Sequence, residues 1–177
     1  MNTESIENIL CEYPIADYKF FSPEILCFSD RIRHVCKSEC QMYNKSYSCP
    51  EAVGSPEECK TKCLSYKYGL VFSSIAEVED SAVMEQTLAT KPAHEKMTRE
   101  IKKKIEAERG EVFALSADAC SICEKCAYPN EPCRHPDIML PCIESHTIVT
   151  TDLAEKLGME FFYSANTVTW FSILLYN

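Results

Sequence analysis

The chain has 177 residues, with 18 basic against 27 acidic side chains and a formal net charge of −9 at neutral pH. That length fits one domain, or one domain with a cysteine-rich lobe, and a core of this size needs no covalent staples. The acidic balance argues against a general affinity for nucleic acid or anionic membrane, and no run reaches the ~20 apolar residues of a membrane-spanning helix.

Twelve cysteines are present. The stretch Met1-Asn-Thr-Glu-Ser-Ile-Glu-Asn is polar and acidic, unlike an export signal, so a cytoplasmic location is expected. In a reducing compartment clustered cysteines point to metal or redox chemistry rather than to a disulfide framework.

In chain order, a short helix is expected around Ile6–Cys11 and a brief strand at Tyr18–Phe21. Ser22-Pro23-Glu24 has the cap, the proline and the acid of a helix start, and Ile25, Leu26, Phe28, Ile32 and Val35 follow at near-helical spacing. Cys27 inside that run reads as an inert core thiol. Ser55-Pro56-Glu57-Glu58 forms a second start with a capping box, and its helix carries Cys59 and Cys63 on one face. Tyr66–Ile75 is rich in aromatic and branched residues and reads as a strand. Residues 77–90 are acidic and ambiguous. Pro92–Arg109 reads as a long helix with Met97, Ile101, Ile105 and His94 inward, stopped by Gly110. Lys102-Lys103-Lys104 sits among glutamates as a solvated face of it. Glu111–Leu115 is a strand, Thr151–Leu157 a helix, and Phe161–Tyr163 and Val168–Tyr176 are two further strands. The last is nearly all apolar and so should be central or well covered.

Together these elements predict an α+β fold: a small mixed sheet covered by helices, with cysteine-rich metal-binding loops at 36–63 and 120–142 of a single domain spanning 1–177. If Tyr66–Ile75 pairs with Glu111–Leu115, the helix between them makes a β-α-β crossover and the two strands run parallel. The two cysteine segments should lie close together at one end of the sheet; with that crossover, a shared site needs the long Cys36–Cys49 loop to fold over the sheet face.

The stronger chemical signal is Cys120-Ser-Ile-Cys123-Glu-Lys-Cys126, completed by Cys133. A C-x2-C-x2-C run wraps a cubane in bacterial ferredoxins, although four thiolates also suit zinc. Pro129, Pro132 and Pro136 would stiffen the loop that brings Cys133 round. The first segment offers Cys36, Cys40 and Cys49-Pro50, with its fourth ligand open: Cys59 or Cys63 from the next helix, Cys133 crossing over, a water, or a substrate atom.

A resemblance is carried by Cys36, Cys40, Tyr43, Cys49-Pro50, Cys59 and Tyr66-Lys67, then by Cys120, Cys123, Cys126 and Cys133-Arg134-His135-Pro136, and by Asn166-Thr-Val-Thr-Trp-Phe171. From about residue 30 onward the chain resembles a cysteine-rich prokaryotic family described as predicted metal-binding proteins of unknown function. Asn44, Tyr47 and Glu51 stand where that family commonly has glycine, tryptophan and a second proline. The resemblance implies metal or cluster binding in anaerobic bacteria and archaea, with Cys36, Cys40, Cys49, Cys59, Cys120, Cys123, Cys126 and Cys133 as ligands. Cys11, Cys27, Cys63 and Cys142 are not carried over.

Three functions are compatible with these residues. The first is an iron–sulfur protein with one or two [4Fe-4S] clusters, its potential tuned by Arg134 and His135, passing electrons to a redox partner protein. The second is an enzyme with an open coordination position at the first segment. The third is a zinc-stabilised interaction module.

Overall fold

The computed structural model describes residues 3–177; Met1 and Asn2, part of the polar leading stretch, lie outside the described residues. Strands β1 (Asp17–Phe21), β2 (Tyr68–Glu77), β3 (Val112–Ser116) and β4 (Thr167–Tyr176) form one sheet in the order β1-β2-β4-β3. Every neighbouring pair is antiparallel. Strand β4 pairs with β2 along its whole length, from Tyr68↔Tyr176 to Glu77↔Thr167, and with β3 on its other edge. It therefore separates β2 from β3. These two strands run in the same direction, as a crossover requires, but no parallel ladder joins them.

The central position of β4 follows from its side chains. Successive residues of a strand point to opposite faces, and in β4 both faces are apolar. Phe171, Ile173 and Leu175 join Val71, Phe113 and Leu115 on one side. Leu174 and Tyr176 join Leu70, Phe72, Val112 and Ala114 on the other. The first face is covered by Cys63 of helix α3 (Pro56–Leu64) and by Leu153 and Ala154 of α5 (Thr150–Leu157). The second is covered by Ile6, Ile9 and Leu10 of α1 (Glu4–Leu10) and by Met97, Ile101 and Ile105 of α4 (Met84–Arg109). Each fully buried leucine or isoleucine in these layers contributes about 1.5–3 kcal/mol, so the sheet is held from both sides. Among the described residues no helix is long and apolar enough to cross a membrane.

The α+β class, the four main strands and the Ser55–Glu58 capping box appear as expected: the Ser55 hydroxyl accepts from Glu58 N–H at 3.2 Å, and Glu58 accepts from Ser55 N–H at 2.7 Å. Three elements differ. The helix expected from Pro23 to Val35 is a single 3-10 turn, Pro23–Ile25, followed by extended backbone and then α2 (Asp30–Glu39). Leu26 is drawn into the core and Phe28 bridges to Ile148, which pulls the chain straight between them. No residue of α2 is buried, and Val35 is 55% exposed. Helix α4 begins at Met84, so Pro92 lies inside it rather than at its start. The expected strand Phe161–Tyr163 is an exposed irregular stretch that joins no strand of the sheet.

Candidate metal centre

Strand β3 delivers the chain to Cys120, and the segment that follows folds back on itself. Cys120, Cys123, Cys126 and Cys133 line one small cavity of about 20 Å³, with His135 and Ser46 also in its wall. The entry to this loop is fixed by charge. The Lys91 ammonium, on α4, donates to the carbonyl of Ala119 and pairs with Glu95 at 2.9 Å, with the two side chains only 2% and 1% exposed. Glu95 also accepts from the Ser121 hydroxyl at 3.0 Å and from Arg99 at 3.3 Å. Buried charges persist only when paired and hydrogen-bonded. Here two cations meet one carboxylate beside the entry to the loop, and at Cys120 the Glu95 charge, which disfavours the thiolate, outweighs that of Lys91, which favours it. At the other end of the loop Arg134 donates to the carbonyl of Lys125 at 2.9 Å. Burial raises the Cys120 thiol above its usual pKa. Burial pushes Cys126 in the same direction, but the N–H groups of Tyr128, Tyr47 and Ala127 and the Ser46 hydroxyl outweigh it and hold that thiol below the usual value.

The first segment converges on a second cavity. Cys36 and Cys40 stand one turn apart at the end of α2, where Cys40 N–H bonds to the Cys36 carbonyl at 3.3 Å. Together with Cys49 they line a cavity of about 380 Å³ that also includes Asp118, Glu144 and Trp170. Burial raises the Cys36 thiol, helped by the neighbouring charges of Cys40 and Glu144. Burial likewise pushes Cys49 up to about 11. Such thiols stay protonated until a metal binds them, and binding then releases the protons.

Of the expected ligands, Cys59 is placed elsewhere. It lines a different cavity, accepts from Arg33 at 3.5 Å and donates to the Val53 carbonyl at 3.4 Å. Cys63 is in the core, and Cys133 lies with its own loop rather than crossing over. Cys142, which the family resemblance does not carry over, lines the cavity of Cys36, Cys40 and Cys49. Cys11 is exposed, and Cys27 is half-buried rather than in the core. His94 is a core residue: its ring nitrogens lie 2.7 Å from the Ser74 hydroxyl and 2.8 Å from that of Ser172.

The two cavities adjoin along the segment 46–49. Ser46 faces the Cys120–Cys133 cavity while Cys49 faces the other. Between them the Ser48 hydroxyl lies 2.9 Å from that of Ser46 and accepts from Cys120 N–H at 2.8 Å. The Ser48 carbonyl accepts from Cys142 N–H at 3.0 Å. Outside this link, the rings of Tyr47 and Tyr128 meet edge to face at 5.1 Å, and Tyr128 donates to Asn44 at 3.0 Å. Sequence reasoning missed Ser46, Ser48, Lys91 and Glu95. A Lys–Glu pair at i, i+4 reads as a surface pair, and two serines in a loop carry no signal of burial.

The donor chemistry fits a thiolate-bound metal: several sulfurs share each of two cavities, with fixed N–H and cationic groups around them. Among the described residues, no three His, Cys, Asp or Glu side chains close on a point as a single ion would require. Comparison with curated proteins and with solved structures returns no match. Residues 19–176 match a family described as predicted metal-binding protein, DUF2284, a span that takes in both cysteine segments and the whole sheet, and the chain belongs to that family.

Proposed function

We propose that the protein is an iron–sulfur protein that holds a [4Fe-4S] cluster at Cys120, Cys123, Cys126 and Cys133 and a second at the Cys36, Cys40 and Cys49 cavity, and passes single electrons to a partner protein. The observation that carries this reading is the convergence of four cysteines of a C-x2-C-x2-C…C stretch on one small cavity. A single zinc ion draws its sulfurs to about 2.3 Å from one point. A cubane carries each thiolate on a different iron, so its sulfurs stand further apart, and a C-x2-C-x2-C run is the arrangement that wraps one in bacterial ferredoxins. When bound, such a cluster supplies a one-electron couple. This chain's own part is to exclude water, to orient the thiolates and to offset part of their charge with Lys91. The adjoining cavities favour two centres close enough for transfer between them, and the net charge of −9 suits docking on a basic partner surface.

The size of the first cavity, about 380 Å³, favours a second reading, an enzyme that binds a substrate at an open iron position there. Anaerobic purification tests the common part of both readings. The protein should be brown, absorb broadly near ~400 nm and hold iron and acid-labile sulfide in equal amounts. Replacing Cys123 by serine should remove one cluster's worth of both. Iron content unchanged in that variant, or a colourless protein holding zinc, discards the iron–sulfur reading.

A further inference from the structure

We infer that Cys142 is the fourth sulfur of the first metal set, a place that the sequence leaves open and for which the family resemblance offers Cys59. The inference rests on the reading of that cavity as a metal site. Four cysteines line it, Cys36, Cys40, Cys49 and Cys142, and all four are free thiols.

The backbone places Cys142 there independently of any metal. Residue 142 lies beside the end of β3, bridged in parallel to Ser116, with Ser116 N–H bonding to Pro141 O at 3.0 Å and Ile143 N–H to Ser116 O at 2.9 Å. The bond from Cys142 N–H to the Ser48 carbonyl ties it to the residue that immediately precedes Cys49. The thiol is 6% exposed and donates to Glu144 Oε2 at 2.8 Å, on the wall of the same cavity. Cys59, by contrast, opens onto another cavity.

Each sulfur that binds metal gives up its proton to solvent as the metal–sulfur bond forms. A fourth thiolate closes the coordination shell, and a closed shell leaves no position for a substrate. The assignment of Cys142 therefore selects electron transfer over substrate binding at the first set.

The test compares Cys142→Ala, Cys59→Ala and Cys36→Ala with the unaltered protein, each loaded anaerobically with iron and sulfide. Metal per chain is measured, and the spectrum of the reduced form is recorded by electron paramagnetic resonance. Cys142→Ala and Cys36→Ala should each hold about half of the iron, and Cys59→Ala all of it. Full iron and an unchanged spectrum in Cys142→Ala overturns the inference, as does loss of iron in Cys59→Ala or an unaltered protein that loads only the Cys120–Cys133 set. If Cys142→Ala does not fold, Cys142→Ser, which keeps the size and the bond to Glu144, decides by the same measurements: lost iron or an altered spectrum supports the ligand, no change rejects it. If the unaltered protein takes zinc instead of iron, the iron–sulfur reading fails. The inference is then judged by whether zinc per chain falls by half in Cys142→Ala.

Discussion

Acidification should destabilise the fold through His94, whose environment the structure defines on every side. Strands β2 and β4 present the hydroxyls of Ser74 and Ser172, the Phe72 ring and the Phe171 backbone to its ring, and the charged groups that act on it are Lys91 and Glu95 on its own helix. Burial lowers the His94 pKa from its ordinary 6.5 to about 4. The Lys91 charge acts in the same sense, and the Phe171 backbone and Glu95 oppose it. The unfolded chain thus takes up a proton near pH 6.5 that the folded chain refuses until about pH 4. Stability from this group is complete above pH 6.5 and is lost as pH falls towards 4. Between pH 7 and pH 5 the loss amounts to about 2 kcal/mol, at about 1.4 kcal/mol per pKa unit. Chemical denaturation followed by circular dichroism at both pH values measures it. His94→Asn keeps a neutral hydrogen-bonding side chain and should be about 2 kcal/mol less sensitive to the same change. Acid loss of metal affects both proteins and cancels in the comparison. Equal pH sensitivity in the two would refute the burial argument.

Other substitutions probe the scaffold. In Gly69→Ala the new methyl would run into the Phe21 ring; because Phe21 is buried in the core opposite Gly69, stability should fall by about 1–3 kcal/mol, and a neutral result would show that the ring can yield. Lys91→Met removes the ammonium from a buried pair and leaves Glu95 with Arg99 and Ser121. It should cost about 3–5 kcal/mol and loosen metal at the Cys120 set, whereas a loss under about 1 kcal/mol would mean that water replaces the ammonium. Cys11→Ser and Cys27→Ser should retain full metal content by elemental analysis, because neither residue lines either cysteine cavity; metal loss in either variant contradicts the partition of ligands from bystanders.

The parts of the fold legible in the sequence were those with local physical signals. The capping box at Ser55–Glu58, the period of Met97, Ile101 and Ile105, and the stop at Gly110, whose φ is +86°, are each determined within a few residues. The Pro23–Val35 helix failed because its apolar spacing is satisfied by distant partners, Leu26 in the core and Phe28 on Ile148. The same limit applies to the cysteines. The grouping of Cys120, Cys123, Cys126 and Cys133 was readable because the loop that joins them is short. The neighbourhood of Cys142 was not, because it depends on pairing beside Ser116 and on a bond to Ser48, both far away along the chain.

The middle strand of the sheet, β4, is also the element that follows every cysteine in the sequence. As the chain is synthesised, β2 and β3 emerge first and cannot join, since the strand that belongs between them does not yet exist. The end of β3, on which both the Cys120 loop and the Cys142 segment hang, has no fixed position at that stage. Closing the sheet pairs residues far apart along the chain, the slow kind of step in folding. The cysteines thus spend that interval as reduced thiols on an unclosed scaffold, open to oxidation or to the wrong metal. The sheet that positions both cysteine segments is therefore complete only once β4 has been made.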